Sequence, residues 1–341
     1  MNVGRFSGVW RQVLLAALVL LAPCAANAQS RDNSNDIRLA ASAPQSVALK
    51  FDWGAGLDAN VVAVREQFAT RGDSQRVAKL EARFHLHAAR EGERYVLTFS
   101  DLTMSFDGQP VQEGALPGML GPVTGLVLSY DIAANGDFIG LRDLKNLQNF
   151  TEQSYLAQNG RLRQEDRPST RDSNRAMNAG SSPEVLQLEA SRTWGALAGI
   201  WTGLKLTEGQ PIVSDSAVTV PIINSPLTLR STFQLVGREA CAKGERKSSC
   251  VRLRATSHPD PAQLAAALER LQQRSGDAGP VSGGLNIEER IELLTDPETL
   301  RPRRAEWTRG TDVSDVEEGR SRVQDRQSTR TTMTFDYAGK R

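Results

Sequence analysis

Apolar and polar residues alternate one for one through AKLEARFHLHAA. Leu80, Ala82, Phe84, Leu86 and Ala88 take one phase, and Lys79, Glu81, Arg83, His85 and His87 the other. Period two with one charged side predicts a half-buried antiparallel strand. REGER supplies a turn and YVLTFSDLTMSF the returning strand. The apolar phase of that strand slips near Ser100, from Tyr95, Leu97 and Phe99 to Leu102, Met104 and Phe106, which predicts a β-bulge or a bend. GLVLSYDIAANGDFIGL reads as a hairpin turning at Asn135-Gly136. Further strands are predicted at about 204–208, 216–223, 227–237 and 250–256. The chain finishes in LNIEERIELLT, LRPRRAEWTRG and GRSRVQDRQSTRTTMTFDY. In the last, Val323, Met333, Phe335 and Tyr337 share one face, and Arg322, Arg326, Arg330 and Asp336 the other.

The helical period appears in three places. Leu144, Leu147 and Phe150 predict a short amphipathic helix. SSPEVLQLEASRTWGALAGIW carries Leu186, Ala190, Trp194, Leu197 and Trp201 on one face, with Ser181 and Glu184 as a capping box and Pro183 in the first turn. Gly195 and Gly199 would let another backbone approach this helix closely. HPDPAQLAAALERLQQ places Leu264, Leu268 and Leu271 in a stripe behind an Asp260 N-cap and Pro261. The expected fold class is α+β: a curved antiparallel β-sheet, half-barrel-like, packed on two or three helices. The order of elements repeats loosely, which predicts a duplicated sheet, two similar halves of a single domain (about 47–159 and 183–341). Residues 160–181 are poor in apolar side chains and read as a mobile insert, and residues 29–46 as a flexible linker.

The amino end changes the picture of where this fold resides. Arg5 and Arg11 precede the apolar run Val13–Ala22, and Ala26-Asn27-Ala28 follows. That is the pattern of a signal peptide (1–28) cleaved after Ala28, and the run is too short to span a bilayer. The competing reading is a lipoprotein signal at Leu21-Ala22-Pro23-Cys24, with Cys24 lipidated; Pro23 stands where a small residue is expected. Cleavage after Ala28 leaves Cys241 and Cys250 as the remaining cysteines of a periplasmic or secreted protein, and a disulfide is the default there. Strand-like STFQLVG and CVRLRAT flank them, so the bridge would staple a hairpin with a basic tip. The full chain has 41 basic and 40 acidic residues; losing Arg5 and Arg11 leaves 39 against 40. That balance gives no electrostatic case for nucleic acid.

Candidate chemistry is sparse. His85 and His87 point the same way at a spacing that can hold a metal, but they share their face with Lys79, Glu81 and Arg83, and solvated surface is the better reading. Glu288-Glu289 and Glu317-Glu318 read as solvated charge. No nucleophile elbow or phosphate-cradling loop is present, so no catalytic residue, metal or cofactor is assigned and a non-enzymatic role is expected. Trp53, Trp194, Trp201 and Trp307 are either core or the lining of an apolar cavity.

LLTDPETLRPRRAEWTRG resembles the late hairpin of the periplasmic lipoprotein carriers with the LolA/LolB-like half-barrel fold, over residues 291–310. The stretch from the Trp through GLKLTEGQ also looks like uncharacterised secreted bacterial proteins. The resemblance implies a curved sheet sheltering lipid chains around helices, and it transfers no ligand residue. The expected partner is therefore a hydrophobic small molecule or lipid, held without a membrane-spanning segment. Phe84, Leu86, Trp194, Leu197, Trp201 and Trp307 are the candidate ligand-binding residues. The alternative is an envelope protein–protein interaction or assembly factor.

Overall fold

The computed structural model describes residues 45–71, 74–106, 109–110, 128–142, 144–145, 147–149, 182–220, 225–242, 249–275, 285–317 and 320–337. The signal sequence, residues 29–44 of the linker and the whole 160–181 segment, with Ser181 of the expected capping box, lie outside the described residues. The strands in chain order are β1 (Ser46–Ala48), β2 (Gly56–Arg71), β3 (Ser74–Glu91), β4 (Arg94–Phe106), β5 (Gln109–Pro110), β6 (Leu128–Ala133) and β7 (Phe138–Leu141). After helix α1 (Pro183–Leu197) come β8 (Lys205–Thr207), β9 (Ile212–Val220), β10 (Ser225–Glu239) and β11 (Cys250–Pro259). Helix α2 (Pro261–Ser275) precedes β12 (Leu285–Thr295), β13 (Pro302–Glu317) and β14 (Arg320–Tyr337).

Twelve of these strands form one antiparallel sheet in the order β7-β6-β4-β3-β2-β14-β13-β12-β11-β10-β9, with β5 beside β4. It is a large curved sheet that is not closed into a barrel. The early strands make one side and the late strands the other, joined where β2 meets β14. β1 and β8 pair separately. Strand β2 has no counterpart in the sequence reading, although it sits between β3 and β14. Its outward phase includes Val62, Val64 and Phe68, so its alternation is blurred where that of β3 is clean.

The expected slip in β4 is present as a bulge. Arg83 lies opposite Thr103 but His85 opposite Ser100, and Asp101 takes a φ of 55°. The extra residue moves the inward phase from Phe99 to Leu102. Residues 285–317 form the expected hairpin around Asp296–Leu300. Leu300 (φ 54°) donates its N–H to the Asp296 carbonyl, and Asp296 Oδ1 accepts from the Glu298 N–H. The exposed backbone of this turn is used: the Pro297 and Thr299 carbonyls accept from the Lys50 and Asp52 N–H groups.

α1 is capped by Ser182, one residue later than expected, whose Oγ accepts from the Val185 N–H. The helix ends at Leu197, so Trp201 belongs to a 3-10 turn, Gly199–Trp201, rather than to the helix. The absent side chain of Gly199 is filled by Trp194: a Cβ there would stand 2.8 Å from the indole. α2 starts at Pro261 as expected, with Asp260 Oδ1 accepting from the Gln263 N–H. α1 packs against β7, β12 and β13, and α2 against β10 and β12. Cys241 and Cys250 are joined by a disulfide beside the β10–β11 hairpin, where Cys250 faces Glu239. Such a bridge fits an extracytoplasmic setting.

The core lies on the sheet face turned toward α1. Phe51, Trp53, Tyr95 and Trp194 stack edge to face or tilted, with Trp53 and Trp194 5.5 Å apart and Phe51 and Trp194 5.4 Å apart. Trp194 Nε1–H donates to the Gly136 carbonyl at 2.8 Å. That carbonyl belongs to the Asn135-Gly136 turn, where φ is 91° and any Cβ would collide with Phe51 and Thr202.

Candidate binding groove

Register places the inward side chains in rows across the sheet. The row Phe84, Val61 and Phe335 joins the core. The next, Ala82, Ala63, Met333, Ala305 and Leu293, contains three alanines. The third runs Leu80, Arg65, Thr331, Trp307 and Ile291. The fourth runs Gln67, Thr329, Arg309, Glu289 and Ser257, and is almost wholly polar. Polarity therefore rises along the strands while the residues stay on one face.

Where α1 crosses the second and third rows it leaves a cavity of about 340 Å³. Ala63, Ala82 and, from α1, Ala196 line it with single methyl groups. Nothing there has the bulk to fill the gap between sheet and helix. Phe84, Trp307, Met333, Ile291, Leu80 and the bulge residue Leu102 supply its apolar wall.

The charged lining comes from four elements. Arg192 of α1 is 6% exposed and pairs with Glu189 at 2.5 Å. Glu289 of β12, 5% exposed, accepts from Arg309 Nη2 of β13 at 3.1 Å. Arg65 of β2 adds a third guanidinium, and its Nε is buried without a hydrogen-bond partner among the described residues. Burial pushes the Arg192 guanidinium down to about 10, and the charge of Arg309 adds to the effect against Glu189 and Glu289. Burial lowers Arg65 as well; Glu189 opposes and Arg309 reinforces that shift.

Of the six residues expected to bind ligand, Phe84 and Trp307 line this cavity. Leu86, Trp194, Leu197 and Trp201 are at most 1% exposed and lie in the hydrophobic core. Glu289, read as solvated beside Glu288, is buried, because it shares the inward phase of Ile287 and Ile291. The charged lining was missed, yet its signal is in the sequence. Arg65 continues the phase of Ala59, Val61 and Ala63, and Arg309 that of Ala305 and Trp307.

The opposite face of β2 and β3 carries His87, which is exposed, and His85, which is half-buried. Register brings Asp58 across from His87, and its Oδ1 lies 2.6 Å from His87 Nδ1 and 3.2 Å from His85 Nε2. One ligand atom from each of the three lies within 4.8 Å of the others, a donor set that suits a metal such as zinc. The hydrogen bond to His87 holds the Asp58 carboxyl below its usual value. Asp58 is therefore the member of this group that spacing along β3 does not reveal.

No helix among the described residues is long and apolar enough to cross a membrane. No protein-family model matches the chain, and no curated protein matches it. Among solved structures, lipovitellin aligns with 84% of this chain and 25% of its own at 8% identity and a TM-score of 0.40, so the chain spans about a quarter of that protein's length. A putative outer membrane lipoprotein-sorting protein domain from Vibrio parahaemolyticus aligns over 85% of this chain and 88% of its own, at 7% identity and a TM-score of 0.12. A DUF1329 family protein from Desulfovibrio piger aligns over 84% and 88%, at 11% identity and a TM-score of 0.12. At these scores the likenesses are distant, and the functional reading rests on the groove itself.

Proposed function

We propose that this is an exported, periplasmic or secreted protein that binds a lipid or other hydrophobic molecule, without catalysis, in the groove between α1 and the sheet. The observation that carries this reading is the 340 Å³ cavity lined by Phe84, Trp307, Met333 and Ile291 beside a row of alanines. Small-molecule sites of about 300–1,000 Å³ are concave and mostly apolar, with a few placed polar groups. The test is titration of the purified mature protein with the neutral apolar fluorophore N-phenyl-1-naphthylamine, together with mass spectrometry of solvent-extracted lipid. Saturable fluorescence enhancement that Trp307→Ala weakens is the expected result. No saturable enhancement and no extracted lipid would overturn the reading.

A second reading has one observation in its favour. β9 is an edge of the large sheet, and its Val213 is 58% exposed. An envelope protein could add a strand there, its backbone completing the edge. Co-purification of a partner that Val213→Lys abolishes, from protein with an empty groove, would place this reading first.

A further inference from the structure

The groove is apolar along one side and charged along the other. Its charged side holds three guanidinium groups and two carboxylates. Glu189 pairs with Arg192, and Glu289 with Arg309. Arg65 brings the third positive charge, so this cluster carries one more cation than anions. Taking a charge out of water without a matching partner is expensive, and the cost falls when an opposite charge arrives. The planar guanidinium fork is suited to a carboxylate or a phosphate, which it can hold through two parallel hydrogen bonds.

We propose that the ligand of this groove is a single-chain amphiphile with an anionic end group, a carboxylate or a phosphate, seated at Arg65. Arg192 and Arg309 strengthen the field at that seat. The chain lies along Ala63, Met333 and Phe84, toward the aromatic end of the same face. The placement follows from β2 itself: Arg65, Ala63 and Val61 succeed one another on the inward face. Each step of two residues advances about 6.6 Å along a strand, so a head at Arg65 sets its chain on the apolar rows. The cavity's 340 Å³ stands at the small end of ligand pockets, which favours one chain over several.

This inference rests on the groove reading, and the experiment separates the two. Dodecanoate, dodecanol and inorganic phosphate compete against N-phenyl-1-naphthylamine for the full mature protein at neutral pH and low salt. Dodecanoate is expected to compete at least ~10-fold better than dodecanol, the effect of one hydrogen-bonded charge pair. In Arg65→Met, which keeps the apolar stem, that preference should largely vanish while dodecanol binds as before. Equal competition by the acid and the alcohol in the wild type overturns the anionic seat and leaves the groove reading intact. Competition by neither overturns the amphiphile, and only the absence of saturable fluorophore binding together with the absence of extracted lipid overturns the groove reading as well. Inorganic phosphate as effective as dodecanoate overturns the amphiphile and makes the site one for a free anion. The wild-type comparison needs no substitution, so a variant that fails to fold cannot hide the answer.

Discussion

Helix α1 touches two regions of one sheet face, and they differ in what fills the inward positions. At its carboxyl end Trp194 is 1% exposed, stacked on Phe51 and Trp53, with its N–H given to Gly136. On a neighbouring face of the same helix, Glu189, Arg192, Thr193 and Ala196, three and four residues apart, look onto a cavity floored by alanines. Both regions obey the same alternation along the strands. Where the rings of Phe51, Trp53, Tyr95 and Trp194 fill the space over the sheet, the face becomes core; where methyl groups and arginines line it, space and charge remain. Stability and binding are thus divided between two faces of a single helix rather than between separate domains.

Trp194→Ala is the most direct way to break this division. Loss of a packed buried indole costs about 3–5 kcal/mol, and urea unfolding should show a loss of that size. Fluorophore affinity per folded molecule should stay unchanged. Trp307→Ala should reverse the profile, with a smaller loss of stability and weaker binding, since Trp307 is only partly buried. Equal stability losses with no change in binding in either variant would erase the distinction between core and groove.

Glu289→Gln sharpens the charged side. It removes the carboxylate from a buried pair with Arg309, a change that costs about 3 kcal/mol when the remaining charge stays buried. The same substitution raises the excess positive charge of the cluster, so dodecanoate should bind more tightly while dodecanol is unaffected. Loss of stability without a gain for the acid would show that the five charges do not act on the ligand together. Replacing Cys241 and Cys250 by Ala should cost about 2–3 kcal/mol, as expected for a short closed loop. Neither cysteine lines the cavity, so the acid-over-alcohol preference should survive. A changed preference at equal folded fraction would tie the hairpin to the groove.

The difference between the two regions also explains what was legible in the sequence. Strands such as β3 and the β12–β13 hairpin announce themselves because one phase is apolar and the other charged. β2 does not, because it carries valines and a phenylalanine on its outward side as well. The four tryptophans read as either core or cavity lining; Trp307 borders the cavity, while Trp53, Trp194 and Trp201 are core. Trp201 could not be placed by helical spacing, because the helix stops at Leu197 before reaching it. The charged lining was legible only as charges standing in apolar phase, and Glu189 and Arg192 needed tertiary contact to join it. The cavity volume depends on how far α1 stands from the alanine row, which no periodicity encodes.

The smallest expected effect lies on the other side of the sheet, and it tests whether the outer face stands apart from the groove. Asp58 is about half exposed and accepts hydrogen bonds from His87 and His85. Its carboxyl, held below its ordinary value of 3.8 chiefly by His87, is ionised more readily in the folded chain than in the unfolded one. The unfolded state therefore binds more protons as the pH drops, and folding loses stability. The contribution is fully present above the unfolded value and disappears as pH falls through the lower, folded one. At this exposure solvent screens the pair, so Asp58→Asn should cost less than about 1 kcal/mol at pH 7. Urea unfolding of both proteins at pH 7 and again near pH 2 reads this directly: the small gap should close in acid. A gap that persists there would trace to packing rather than to charge. Dodecanoate binding should be the same in both proteins, since the side chain of Asp58 lies on the face turned away from Arg65.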